Sequence, residues 1–287
     1  MRLISQVAPS YLPEATQTSV LRLGLVPLEF AQWMQCDSDF SQFHAHKLHA
    51  KQQFSDKVYA ELPRSWSAQQ EFQHHLLQHL IADHSNRYRL AAETLYYDAE
   101  GQAWSLQENN LWHMSLWVQE DICILELIED EYRLTAASVC SPSNWRLEDK
   151  IGQTLDIIHQ PVPNYQRELA QRVNRLFDNI KPHKPLLRFN WSIQIGNELL
   201  WRKDLNAEAS EQEELYWRVE RQTLVRLPQT QAIVFAIRIY LHSFTAMLAL
   251  PAFRSNLSAI LASLPAEQKQ YKGIETIDNR INNYLNR

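Results

Sequence analysis

The chain has 287 residues, 45% of them hydrophobic and 21% charged, the composition of a globular protein with a sizeable core and no extended disorder. A net charge of −5 argues against a general nucleic-acid binder, and 5 glycines with neither GxGxxG nor a Walker-type loop leave no cradle for a nucleotide phosphate. Cys36, Cys123 and Cys140 are odd in number without a CxxC pair, the start has no signal-peptide pattern, and no apolar run reaches membrane-spanning length. The expectation is a cytoplasmic protein with reduced thiols and no membrane segment.

In chain order, residues 1 to about 35 read as a Pro-punctuated arm packed on the body. Asp37 to Leu62 is expected to be a helix that Pro63 follows, and a second helix runs from about Ser67, an N-cap candidate, to His84. These two helices hold seven of the 11 histidines. His75 and His79 are spaced i, i+4, but two ligands do not make a metal site, and no Glu completes HExxH. Both therefore read as surface or half-buried residues.

A strand is expected over Leu90 to Asp98, with a turn at 98–101. Ile122–Ile128 and Tyr132–Val139 form a hairpin around Glu129-Asp130-Glu131. The loop from Ser141 leads to IHQPVPNY, where Pro161 and Pro163 should push Gln160 and Val162 into extended conformations and present His159 from a stiff segment. Asn164 is a candidate cap for a helix over Tyr165–Ile180, whose inner face carries Leu169, Val173 and Phe177. Three strands follow, Leu187–Ile195, Tyr216–Leu227 and Ala232–Leu241, the last apolar enough to be central, with a polar excursion from Asn206 to Glu214 between the first two. The tail is helical in pieces divided by Pro265.

The order strand, strand, helical crossing, three strands is that of an α+β, PAS-like fold: a five-stranded antiparallel sheet whose crossing helices enclose a pocket, flanked by N- and C-terminal helices. Residues 1–105 are expected to pack on a 106–242 core, with 243–287 as a helical tail. The crossing carries His159, which suits an axial ligand of a flat iron macrocycle but reads on spacing alone more readily as an ordinary loop residue. In the strand Tyr216–Leu227, alternation places Arg218, Glu220, Gln222 and Arg226 on one face and Arg221 on the other among apolar residues, where a guanidinium must find a partner. Arg188 and Asn190 on the preceding strand raise the same question. No Ser-His-Asp set or close carboxylate pair emerges, so nothing favours a hydrolase.

PSNW, EDKIG, IHQPVPNY, RFNWSI and RVERQTLVRLP, followed by AIVFAIRIY, occur in the order found in the haem-dependent oxidative N-demethylase family, which this sequence resembles from Leu106 to Leu241. The N-terminal helices and the tail carry little family signal. The resemblance implies a PAS-like core turned enzyme that holds haem b without covalent attachment. It implies a monooxygenase-type oxidation, by O2, of a methyl group on a small amine, with release of formaldehyde. Electrons are then expected from NAD(P)H through a separate flavin and iron–sulfur reductase, a partner this chain's sequence cannot replace. On this likeness His159 is the expected axial ligand, and Glu220 and Arg221 are expected to line the distal side or bind a propionate. Arg188, Asn190 and Arg226 are further cofactor-binding candidates. Two other readings stay open, a non-catalytic PAS-like haem or small-ligand sensor and a relative that has lost its haem. The substrate amine and any oligomerisation lie beyond the sequence.

Overall fold

The computed structural model describes residues 5, 11–12, 24–206 and 213–286. Most of the predicted N-terminal arm and the middle of the predicted 206–214 excursion lie outside the described residues. Short strand β1 (Val26–Pro27) precedes helix α1 (Phe40–Phe54), strand β2 (Tyr59–Glu61) and helix α2 (Trp66–Asp83). A meander of β3 (Tyr88–Ala91), β4 (Thr94–Tyr97) and β5 (Gln102–Ser105) leads through α3 (Leu111–Ser115) to the hairpin β6 (Asp121–Ile128) and β7 (Glu131–Ser138). The crossing contains α4 (Leu155–His159) and, after one π turn at Tyr165–Leu169, α5 (Ala170–Asn179). Long strands β8 (Leu186–Ile195), β9 (Leu215–Arg226) and β10 (Ile233–Ser243) are followed by helices α6 (Phe244–Leu248), α7 (Phe253–Ser263), α8 (Ala266–Tyr271) and α9 (Asp278–Leu285).

The fold is α+β around one antiparallel sheet, but the sheet has seven strands in the order β1-β8-β9-β10-β6-β7-β2, not the expected five. Both additions come from the N-terminal part and close an edge. Val26 and Pro27 pair with Leu187 and Leu186, a position that suits proline because an edge strand can spare the missing N–H. Tyr59–Glu61 pairs with Ser138–Ala136, so the predicted Asp37–Leu62 helix ends at Phe54. Ser55 has φ 43°, which breaks the helix, and the Val58-Tyr59 pair then favours extended backbone against β7. The predicted Leu90–Asp98 strand is a hairpin turned at Ala92 (φ 50°), while the expected turn at 98–101 joins β4 to β5.

β10 lies between β9 and β6, and its apolar sequence follows from having both faces covered. On one face, Val225, Val234, Ala236, Ile122 and Ile124 pack against α2 through Phe72, Leu76 and Leu80. Farther along that face Trp191, Trp217 and Val219 pack under the tail helices through Phe253, Leu257 and Ile260. The opposite face receives the crossing: Leu224, Ile233 and Leu125 meet Leu155, Tyr165, Val173 and Phe177. Among the described residues no helix is long and apolar enough to cross a membrane.

Two histidines of the first two helices serve the fold. His46 Nε2 bonds the Cys140 carbonyl at 2.7 Å, and His79 sits between the Asp83 carboxylate (2.8 Å) and the Met34 amide (3.3 Å). The backbone amide donates to His79 Nε2, so Nδ1 carries the proton and the ring is neutral. Burial pushes His46, His79 and His242 each down to about 4, below the ordinary value near 6.5 of an unfolded chain. The unfolded chain then binds more protons between these limits, so stability is lost as pH falls from about 6.5 to about 4, by about 1.4 kcal/mol per pH unit for each histidine. Urea denaturation at pH steps across that interval should show this decline.

Candidate functional site

Antiparallel register on β8 and β9 sets Arg188 opposite Gln222, Asn190 opposite Glu220 and Ser192 opposite Arg218. The period of two makes these six side chains one polar patch on the face that carries the crossing helices. Glu220 is its hub. Its Oε2 accepts from Gln222 Nε2 at 2.8 Å and Asn190 Nδ2 at 3.2 Å, and its Oε1 lies 3.9 Å from Arg218 Nε. Arg218 is fully buried, and burial pushes its guanidinium below the usual range, against the pull of Glu220 and Asp121. Its other nitrogens donate to Gln194 Oε1, the Leu199 carbonyl and the Ser141 carbonyl, which ties two loops to the strand.

The crossing faces this patch. Thr154 caps α4 by accepting from the Ile157 amide, and His159 is the last residue of that helix. Gln160 is helical (φ −48°, ψ −36°), against the expectation that Pro161 would extend it; it continues the turn as the cap of α4. Asn164 likewise does not cap α5. It takes the left-handed conformation (φ 59°), and its side chain donates to Glu267 on α8 at 2.7 Å. The chain then re-enters a helix through the π turn, which stacks the Tyr165 ring on His159 (centroids 4.9 Å apart, planes within 12°).

The His159 imidazole has a defined tautomer. Nδ1 is 2.8 Å from the Leu155 carbonyl, which can only accept, so Nδ1 carries the proton and Nε2 keeps a free lone pair. Burial pushes its pKa down and Arg188 pushes the same way, against the Leu155 carbonyl, so the ring is neutral at neutral pH. Arg188 itself is held low by burial, with Glu220 and Tyr271 opposing, and its Nε is buried without a hydrogen-bond partner. A neutral imidazole with one available nitrogen, a cation lacking a bond and the apolar Leu155, Ile158, Val162 and Leu224 nearby suit a flat, anionic, metal-bearing group. Among the described residues no group of three or more His, Cys, Asp or Glu could hold a bare metal ion.

The structure brings His159, Arg188, Asn190 and Glu220 together and takes the other two candidates elsewhere. Arg221 points to the opposite face, where Nη1 and Nη2 donate to the Trp33 and Gln32 carbonyls. The partner its buried charge needs is N-terminal backbone. Arg226 is spent on the end of α5, donating to the Ile180 and Phe177 carbonyls, with further bonds to Gln231 O and Tyr132 Oη. Neither touches the His159 group. The third wall escaped the sequence reading: α8 brings Glu267 to Asn164 and, just beyond its end, Lys272 to Asn190. An ordinary polar helix in the tail carries no pattern that links it to a strand some 80 residues earlier. Arg221→Met should lower unfolding free energy by about 2 kcal/mol, because the buried Trp33 carbonyl and the partly buried Gln32 carbonyl lose a charged donor; equilibrium denaturation against the parent measures it.

A family model described as "Haem-dependent oxidative N-demethylase, alpha subunit-like" matches residues 24–282. The match takes in α1, α2 and the tail through most of α9, beyond the Leu106–Leu241 stretch whose motifs carry the likeness, and so includes the segments that contribute Arg221's partners and Lys272. With nearly the whole chain covered, this protein belongs to the haem-dependent oxidative N-demethylase, alpha subunit-like family.

Proposed function

We propose that this chain is the haem-carrying, oxygen-using subunit of an oxidative N-demethylase, with His159 Nε2 as the nitrogen that would hold the haem iron. The observation that carries this reading is the His159 tautomer: with Nδ1 committed to the Leu155 carbonyl, Nε2 is the nitrogen left to ligate, beside an Arg188 whose Nε lacks a partner. The contiguous strand order β8-β9-β10-β6-β7, with the helical crossing between β7 and β8, supports a PAS-like core inside the wider sheet. Haem b, when bound, supplies O2 activation for oxidation of a methyl group on a small amine, the product collapsing to formaldehyde and the shorter amine.

The chain's own residues supply binding and proton handling. Arg188 is the cation for a propionate. Tyr165 stacks on the imidazole and fixes its plane, as a supporting residue does for a metal-bound histidine. Glu220 is the acceptor for an amine: Oε2 is taken by Gln222 and Asn190, so Oε1 is the oxygen that can receive an ammonium N–H and hold its proton. The electrons come from NAD(P)H through a separate flavin and iron–sulfur reductase, and the words "alpha subunit" in the family's description favour such a partner.

The test begins with the visible spectrum after expression with haem supplied. A Soret band is expected in the parent and should be lost or shifted in His159→Ala; a folded parent that takes up no haem overturns the proposal. With NADPH and a reductase present, formaldehyde release from N-methylated amines separates an enzyme from a PAS-like haem sensor, which would show the band and no release. Glu220→Gln should keep the Soret band and lower turnover about 100-fold. Unchanged turnover would remove Glu220 from the chemistry.

A further inference from the structure

Among the described residues β1 pairs with β8 at Leu186 and Leu187, and from Arg188 onward the C-terminal tail packs along that edge. Lys272, just after α8, lies against it. Its Nζ donates to the Trp191 carbonyl and to Asn190 Oδ1 (3.4 Å), and lies 4.3 Å from the centre of the Trp191 ring. The orientation of Asn190 follows from its two neighbours. A lysine ammonium can only donate and a carboxylate can only accept, so the amide bridging them presents Oδ1 to Lys272 and Nδ2 to Glu220.

Resting on the amine-binding role given to Glu220, we propose that Lys272 is a positioning residue for that carboxylate: it orients Glu220 through Asn190, and its own positive charge disfavours a second cation, a protonated amine, beside that carboxylate. The charged groups that act on it are Glu220 from β9 and Arg188 from β8, with the Tyr271 hydroxyl near both of these. Burial pushes the Lys272 amine down to about 7, Arg188 acts in the same direction and Glu220 opposes. Below that pH the lysine is charged and adds a third cation to Arg188 and Arg218 around Glu220. Above it the lysine is neutral, while a small alkylamine keeps its proton and takes over the positive charge the lysine has given up. Affinity for a cationic amine therefore rises with pH through neutrality.

Two measurements on the full chain test this. In the first, trace labelling with acetic anhydride at a series of pH values, read by peptide mass spectrometry, should give Lys272 a midpoint near 7, well below the ordinary lysine range of about 10.4. Glu220→Gln should lower that midpoint by about one pH unit. A Lys272 that titrates with the exposed lysines and ignores Glu220→Gln overturns the proposal. In the second, calorimetric titration with trimethylammonium chloride should show affinity rising about tenfold between about pH 6 and pH 8. Lys272→Met should bind with little pH dependence, and Lys272→Arg, which stays charged, should bind weakly throughout. A rise that persists in both variants overturns the proposal. If the parent binds no trimethylammonium at any pH, the role given to Glu220 fails, and the labelling midpoints alone decide whether Lys272 and Glu220 are coupled.

Discussion

The period of two along Leu215–Arg226 is the constraint on which the rest depends. An extended strand sends neighbours to opposite faces, so Arg218, Glu220 and Gln222 enter the site while Arg221, between them, is sent to the N-terminal layer. One dense polar motif thus does two jobs. Its even positions build a hydrogen-bonded patch beneath the crossing, and its odd arginine fastens the Trp33 turn to the far side of the sheet. Both faces are buried, so each charge must be paired where it lies, and the pairing makes a local register error costly across the molecule.

The site forms where three distant parts of the chain meet over that patch. The crossing contributes His159 on a short helix whose first residue, Leu155, offers the carbonyl that selects the ring tautomer. The sheet contributes a carboxylate held by two amides beside a buried guanidinium. The tail packs along β8 beyond Leu187 and is tied to the crossing by the Asn164–Glu267 bond. The family match from 24 to 282 agrees with this interdependence, since the N-terminal helices and the tail share apolar cores with the central sheet.

Elements with strong periodicity were readable from sequence. The hairpin β6–β7, the long strands β8 to β10 and the inner face of α5 follow from alternation or helical spacing, because burial of one face imposes the pattern directly. The edge strands were not readable. Val26–Pro27 and Tyr59–Glu61 are too short to carry a period, and they are strands only because an open sheet edge accepts them. Gln160 failed for a related reason: proline disfavours a helical predecessor only modestly, and the α4 turn outweighs that preference.

By itself the sequence determined the alternation that puts Arg218, Glu220, Gln222 and Arg226 on one face of their strand, the place of His159 in the crossing, and the family likeness of the motifs. Tertiary structure alone decided that Arg221 and Arg226 are consumed by backbone carbonyls, that His159 exposes Nε2, and that Lys272 belongs beside Asn190. The physical reason is range. Face and period are local properties of a strand, written every second residue, whereas the partner of a buried charge is whatever the folded chain brings within about 3 Å, and that partner stands anywhere in the sequence.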